Sequence, residues 1–113
     1  MKKSTTIKEN YEFRRMYSKG KSAVSPCLVV YCRPNRLGHN RLGITTSVKL
    51  GKAVVRNRVR RRFREIYRLN EHRFTPGWDI VVVARSRSIE ADFQKLTAAY
   101  LALAAKAGIL EAL

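Results

Sequence analysis

Acid is what this chain has least of. Its 113 residues hold 8 Asp and Glu against 24 Lys and Arg, a formal charge of +16. So lopsided a balance excludes a cationic partner and favours a polyanion, with a strongly salt-dependent affinity for nucleic acid as the first expectation. Cysteine is scarce as well, with only Cys27 and Cys32. In an extended segment they point to opposite faces about 16 Å apart, too far to bridge. No CxxC or Cys/His spacing suggests zinc, and two free thiols suit a reducing cytosol. Three prolines and six glycines leave no low-complexity linker, and no repeat is visible. No apolar run approaches the roughly 20 residues of a membrane span. Met1-Lys2-Lys3-Ser4-Thr5-Thr6 is not followed by the apolar core of a signal peptide. One cytoplasmic domain over residues 1–113, with no membrane partner, is therefore expected.

Catalytic groupings are missing too. No acid/base pair, Cys/His nucleophile site or metal cluster stands out. Asp79, Glu65, His39 and His72 form no recognisable constellation, which argues against an autonomous nuclease. His39 and His72, both in polar surroundings, are expected to be exposed.

What the chain does have is arginine. Seven of the thirteen residues Arg56 to Arg68 are Arg, and a helical pattern survives among them. At about 100° per residue, Val55, Val59, Phe63, Ile66 and Leu69 share one face. Arg56, Asn57, Arg60, Arg61, Arg64 and Arg68 fall on the opposite arc, while Arg58 and Arg62 lie at the flank and can pack their stems against the fold. Like charges three or four apart cost such a helix about 1–3 kcal/mol in all. A passive solvated face would mix signs, and Glu65 is the only acid in the run. The charge is also segregated: residues 89–113 carry Lys95 and Lys106 against Glu90, Asp92 and Glu111, so 22 basic and 5 acidic residues lie in residues 1–88. The C-terminal segment reads as scaffold.

Along the chain, a first helix is expected from an Asn10 N-cap to Gly20, carrying Phe13 and Tyr17 as an i, i+4 pair beside Met16. Such a stripe suits either a core or a binding surface. A short edge segment from Lys21, broken at Ser25-Pro26, should precede a strand Cys27–Cys32 covered on both faces. Arg41–Val48 reads as the next strand, with Leu42, Ile44, Thr46 and Val48 on one face and the small Gly43, Thr45 and Ser47 on the other. Lys49-Leu50-Gly51-Lys52 then opens a helix from about Ala53 to Asn70, whose free N–H groups beside Lys49 and Lys52 suit a phosphate. It is not a P-loop, lacking Gly-Lys-Ser/Thr. Trp78–Ala84 is a buried strand, and a last helix, capped by Ser88, should bury Phe93, Leu96, Tyr100 and Leu103 before stopping at Gly108. The predicted class is an α/β sandwich, α-β-β-β-α-β-α, with three helices on a small mixed sheet of about four strands.

The segment Gly51-Lys52-Ala53-Val54-Val55-Arg56-Asn57-Arg58-Val59-Arg60-Arg61, continued by Arg64-Glu65, resembles the signature of the protein subunit of bacterial ribonuclease P. The likeness extends to the Phe13…Tyr17…Gly20 block, the Tyr31 strand and the late Trp-Asp-Ile-Val strand before a final helix. The chain departs from the family at Val48, where a lysine is common, and at Lys52, where a neutral residue is. The resemblance implies a β-α-β crossover of left hand around the arginine helix, against the general right-handed rule. It also implies an accessory subunit whose partner RNA removes the 5′ leader of precursor tRNA. The RNA would hold the magnesium and do the chemistry, the protein would contribute no catalytic residue or intrinsic cofactor, and no protein oligomer would be needed. Arg56, Asn57, Arg58, Arg60, Arg61, Arg64 and Arg68, with Lys49 and Lys52, would bind ribonuclease P RNA. Phe13, Tyr17 and Tyr31 would line a cleft for the single-stranded leader, where aromatics can stack bases without reading them. A ribosomal component or RNA chaperone is the alternative that charge and fold equally permit.

Overall fold

The run Ile80-Val81-Val82 is apolar on both faces of an extended chain, and all three residues are buried at the centre of a five-stranded sheet. The structure, a computed structural model, describes residues 4–111, so Met1, Lys2 and Lys3 of the N-terminal segment lie outside the described residues. In chain order the elements are β1 (Thr5–Thr6), α1 (Asn10–Lys19), β2 (Lys21–Val24), β3 (Leu28–Pro34), β4 (Arg41–Thr45), α2 (Ala53–Asn70), β5 (Trp78–Ala84) and α3 (Phe93–Ala107). Short 3₁₀ turns lie at Val48–Leu50, Glu71–Arg73 and Ser86–Ser88. The sheet order is β1-β4-β5-β3-β2, with β1–β4 and β4–β5 parallel and the other two pairs antiparallel. The mixed sheet with three helices is therefore as expected, and β4-α2-β5 is a parallel crossover.

Alternation along the strands assigns the layers. Leu28, Val30, Cys32, Ile80 and Val82 face the main core, which Val59, Phe63, Ile66 and Tyr67 of α2 and Leu96, Tyr100 and Leu103 of α3 complete. The opposite face carries a smaller cluster of Ile7, Met16 and Val81, with Phe13, Tyr31 and Val83 against it, so α1 alone covers that side. Register places three residue rows across this second face. Tyr31, Val81 and Gly43 form the middle row, with Arg33, Asp79 and Arg41 to one side and Val29, Val83 and Thr45 to the other.

Several local expectations are corrected. The strand β1 was missed: two exposed threonines carry no periodicity, and only pairing with Arg41 and Leu42 makes them a strand. Asn10 is the first helical residue and Glu9 the N-cap, without a side-chain bond. β4 stops at Thr45 because Ser47 accepts the Lys49 N–H at 3.0 Å and winds a turn, leaving Val48 76% exposed. Leu69 of the arginine helix is 50% exposed, and Tyr67 takes the buried place instead. Tyr67 can do so because its hydroxyl accepts from Asn40 Nδ2 at 3.2 Å and shares a hydrogen bond with Ser4 at 2.6 Å. Asp92, not Ser88, caps α3, accepting the Lys95 N–H at 2.8 Å, and this start leaves Phe93 36% exposed. β3 is covered on both faces but less completely on the α1 side, where Val29, Tyr31 and Arg33 remain half-buried. Cys32 is fully buried, and burial pushes its thiol up. His39 is half-buried, 3.3 Å from Thr5 Oγ1, whereas His72 is exposed as expected.

Two features of α1's seat are testable. A Cβ on Gly43 would stand 2.7 Å from Phe13 Cε1, so Gly43→Ala is expected to cost about 1–3 kcal/mol in urea unfolding. Arg41 bridges Asp79 and Glu12 at 2.6 and 2.7 Å. Burial pushes the Asp79 carboxyl up, but hydrogen bonds from Arg41 and Asn35 and the charge of Arg33 outweigh it and hold the carboxyl below its usual range. A depressed folded pKa gives stability that is present above the unfolded pKa of about 3.9 and lost as pH falls through the folded one. Asp79→Asn should therefore cost about 1.5–3 kcal/mol at neutral pH. The gap from the parent should close below about pH 4.

Candidate RNA interface

α2 is a helix because its buried face repeats at helical spacing, and its start is set by backbone geometry. Gly51 has φ +133° and ψ −159°, a region that residues with a Cβ rarely enter. That explains physically the glycine that opens the signature segment. Lys52 is the N-cap and makes no side-chain bond to the first turn, so the N–H groups there are free to meet an anion, with Lys49 and Lys52 both exposed beside them.

The arginines divide by what they touch. Arg61, Arg64 and Arg68 are exposed, and Arg68 spends part of its charge on Glu65, whose carboxyl it holds low. Arg56 is half-buried and donates to the Gly51 carbonyl at 3.2 Å. Arg60 is also half-buried, donating to Asn57 Oδ1 at 3.0 Å and to Thr46 Oγ1. It lies across to the end of β4 rather than straight outward as its helical phase suggested. Arg58 is exposed but reaches the Ile89 carbonyl at 3.3 Å. Arg62 is bound more firmly, donating to the Ser88 carbonyl at 3.2 Å and to the Ala91 carbonyl. The two flanking arginines thus brace the loop between β5 and α3.

On the other face of the sheet, the three aromatics do come together. Tyr17 meets Tyr31 edge-on with centroids 5.1 Å apart, its hydroxyl is 2.9 Å from Thr45 Oγ1, and Phe13 is packed on Gly43. Phe13 is half-buried and braces α1, whereas Tyr17 remains 40% exposed. The row Val29, Val83 and Thr45, each half-buried, continues this surface beside Tyr17, with exposed Val24 next along the sheet. Just beyond β5, the exposed Arg85 and Arg87 line a concavity with Val24, Ser25 and Pro26. Val24, Thr45, Arg85 and Arg87 were not identified from the sequence, because nothing local says that three separate segments lie side by side there. Among the described residues, no group of three or more His, Cys, Asp or Glu could hold a metal ion, and no helix is long and apolar enough to cross a membrane.

The division of the arginines has a stability consequence. Arg62→Ala strips two loop carbonyls of a charged donor and should cost about 1.5–3 kcal/mol. Arg58→Ala, at the exposed site, should cost less, as urea unfolding of both variants would show.

Comparison with known proteins identifies the family. Residues 1–108 match the Ribonuclease P family model. The ribonuclease P protein component of Thermoanaerobacter sp. (strain X514) is 47% identical over 95 residues, covering 84% of this chain and 82% of that protein. The component from Clostridium botulinum (strain Langeland) is 44% identical over 108 residues, covering 95% and 97%. Among solved structures, the Staphylococcus aureus RNase P protein superposes with a TM-score of 0.87 at 33% identity, covering 96% of this chain and all of that one. The RNase P protein from Thermotoga maritima gives a TM-score of 0.79 at 33% identity, covering 86% and 92%. With its family model matched almost end to end and its fold shared with family members, the chain belongs to the ribonuclease P protein family and is a protein subunit of that ribonucleoprotein.

Proposed function

We propose that the protein works by holding two RNAs on opposite faces of one sheet: the ribonuclease P RNA on the arginine helix and the 5′ leader of precursor tRNA in the aromatic cleft. The observation that carries this reading is the separation of the two surfaces, with α2 on one face of the sheet and Tyr17 and Tyr31 on the other. Exposed Arg61, Arg64 and Arg68 offer forked donors to phosphate oxygens. The cleft offers aromatic faces and an apolar floor, which bind unpaired bases with little regard to sequence. That suits leaders of any sequence.

In this reading the protein is an accessory subunit, non-catalytic alone, of a cytoplasmic endonuclease that hydrolyses precursor tRNA to its mature 5′ end. Magnesium in this reading belongs mainly to the RNA, whose phosphates are its natural ligands. The protein's own contribution is positive charge that replaces part of the cation screening, lowering the magnesium needed, and a grip on the leader that broadens substrate use.

Reconstitution tests this. Purified protein with a bacterial ribonuclease P RNA should cleave precursor tRNA at low magnesium where the RNA alone is sluggish, and the protein alone should not cleave. Absence of stimulation would sink the reading. In the same assembly Tyr17→Ala should weaken binding of leader-bearing precursor by about 1–3 kcal/mol and spare mature tRNA. Equal losses for both would make Tyr17 merely structural.

A further inference from the structure

We propose that the concavity on the other flank of α1 is a second RNA-phosphate site, formed by Arg15, Arg33 and Arg36 and separate from both the arginine helix and the aromatic cleft. The proposal rests on the RNA-subunit reading above. α1 covers the middle row of its sheet face, with Phe13 on Gly43 and Met16 against Val81. The cleft lies over the Val29–Val83–Thr45 row on one side, and the concavity lies over the Arg33–Asp79–Arg41 row on the other. It has a volume of about 560 Å³, enough for a nucleotide-sized group.

Its charge is unbalanced in a specific way. Glu12 and Asp79 are the acids that line it, and Arg41 engages both: Nη1 to Glu12 at 2.7 Å, Nη2 and Nε to Asp79 at 2.6 and 2.8 Å. Arg15, Arg33 and Arg36 therefore line the concavity without an ion pair among the described residues. The wall is also preorganised. Asn35 donates from Nδ2 to Asp79 at 2.9 Å and to the His39 carbonyl at 3.0 Å, and its Oδ1 accepts the Leu37 N–H at 2.8 Å. The Asn35 N–H is bound to the Gly77 carbonyl at 2.9 Å. Within that braced loop Arg36 sits at φ +62°, a left-handed conformation uncommon for a residue with a side chain. Across from it, the Arg15 guanidinium lies 5.8 Å from the centre of the exposed Tyr11 ring, which holds it by a cation–π contact. Guanidiniums lining one concavity from a helix, a strand and a loop suit the several oxygens of a phosphodiester better than a single carboxylate. An open concavity on a chain of +16 charge selects a polyanionic strand over a small neutral ligand.

The test compares two variants of the full chain that each lose two charges: Arg33→Gln with Arg36→Gln, and Lys95→Gln with Lys106→Gln on the scaffold helix. Binding is measured over a salt series to ribonuclease P RNA, and, in the assembled complex, to precursor tRNAs of increasing leader length. The pocket variant should lower the slope of log affinity against log salt by about 0.7–0.9 per lost contact for one of these RNAs, with the scaffold variant unchanged. A loss with ribonuclease P RNA assigns the pocket to that partner, and a loss growing with leader length assigns it to the leader. Arg15→Gln, on a different element, should reproduce the effect if the loop variant melts early. Equal slopes for the pocket and scaffold variants with both RNAs would overturn the proposal while leaving the cleft and arginine helix untouched. Failure of the parent chain to bind either RNA would instead overturn the functional reading beneath it.

Discussion

A helix with seven arginines in thirteen residues holds its shape only because its other face is buried. Val59, Phe63 and Ile66 are completely inaccessible and Tyr67 nearly so. Burial at about 1.5–3 kcal/mol per large apolar side chain exceeds the roughly 1–3 kcal/mol of like-charge repulsion along the helix. The rest follows from that anchoring. α2 cannot rotate to bring its arginines nearer to the few acids, so most of its charge stays directed at solvent, where a polyanion can meet it.

The sheet converts one anchored helix into a two-sided device. Its central strand β5 is buried on both faces, so the main core can sit on one side and α1 on the other without either layer depending on a thick slab of protein. Small side chains on the second face matter as much as large ones on the first. Gly43 admits the Phe13 ring, and that close approach sets how deeply α1 sits and how much of Tyr17 and Tyr31 stays open. The flanking Arg58 and Arg62 tie α2 to the loop between β5 and α3, a few residues past Arg85 and Arg87.

Acid scarcity shapes the polar chemistry. Asp79 and Glu12 are concentrated on Arg41, and Glu71 takes the Ser4 N–H at 3.0 Å, tying the N-terminal strand to the end of α2. With the carboxylates committed to structure, arginines such as Arg33, Arg61 and Arg64 are left for a ligand.

Local sequence was enough for the arginine helix, from about Ala53 to Asn70, which carries a long helical apolar pattern, and for the central strand Trp78 to Ala84, a continuous apolar run set off by the Pro76-Gly77 turn. Charge alone pointed to a polyanion, and the Gly51–Glu65 motif to the family. Tertiary structure decided what short segments and side-chain directions would do. Thr5 and Thr6 became a strand only by pairing with β4, Tyr67 displaced Leu69 from the core only because Ser4 and Asn40 satisfied its hydroxyl, and Arg60 turned toward Thr46 only because β4 ends there. The same holds for the two flanks of α1. Tyr17, Tyr31 and Thr45 in one place, and Arg15, Arg33 and Arg36 in another, are brought together by strand register, a long-range property that no local pattern of residues encodes.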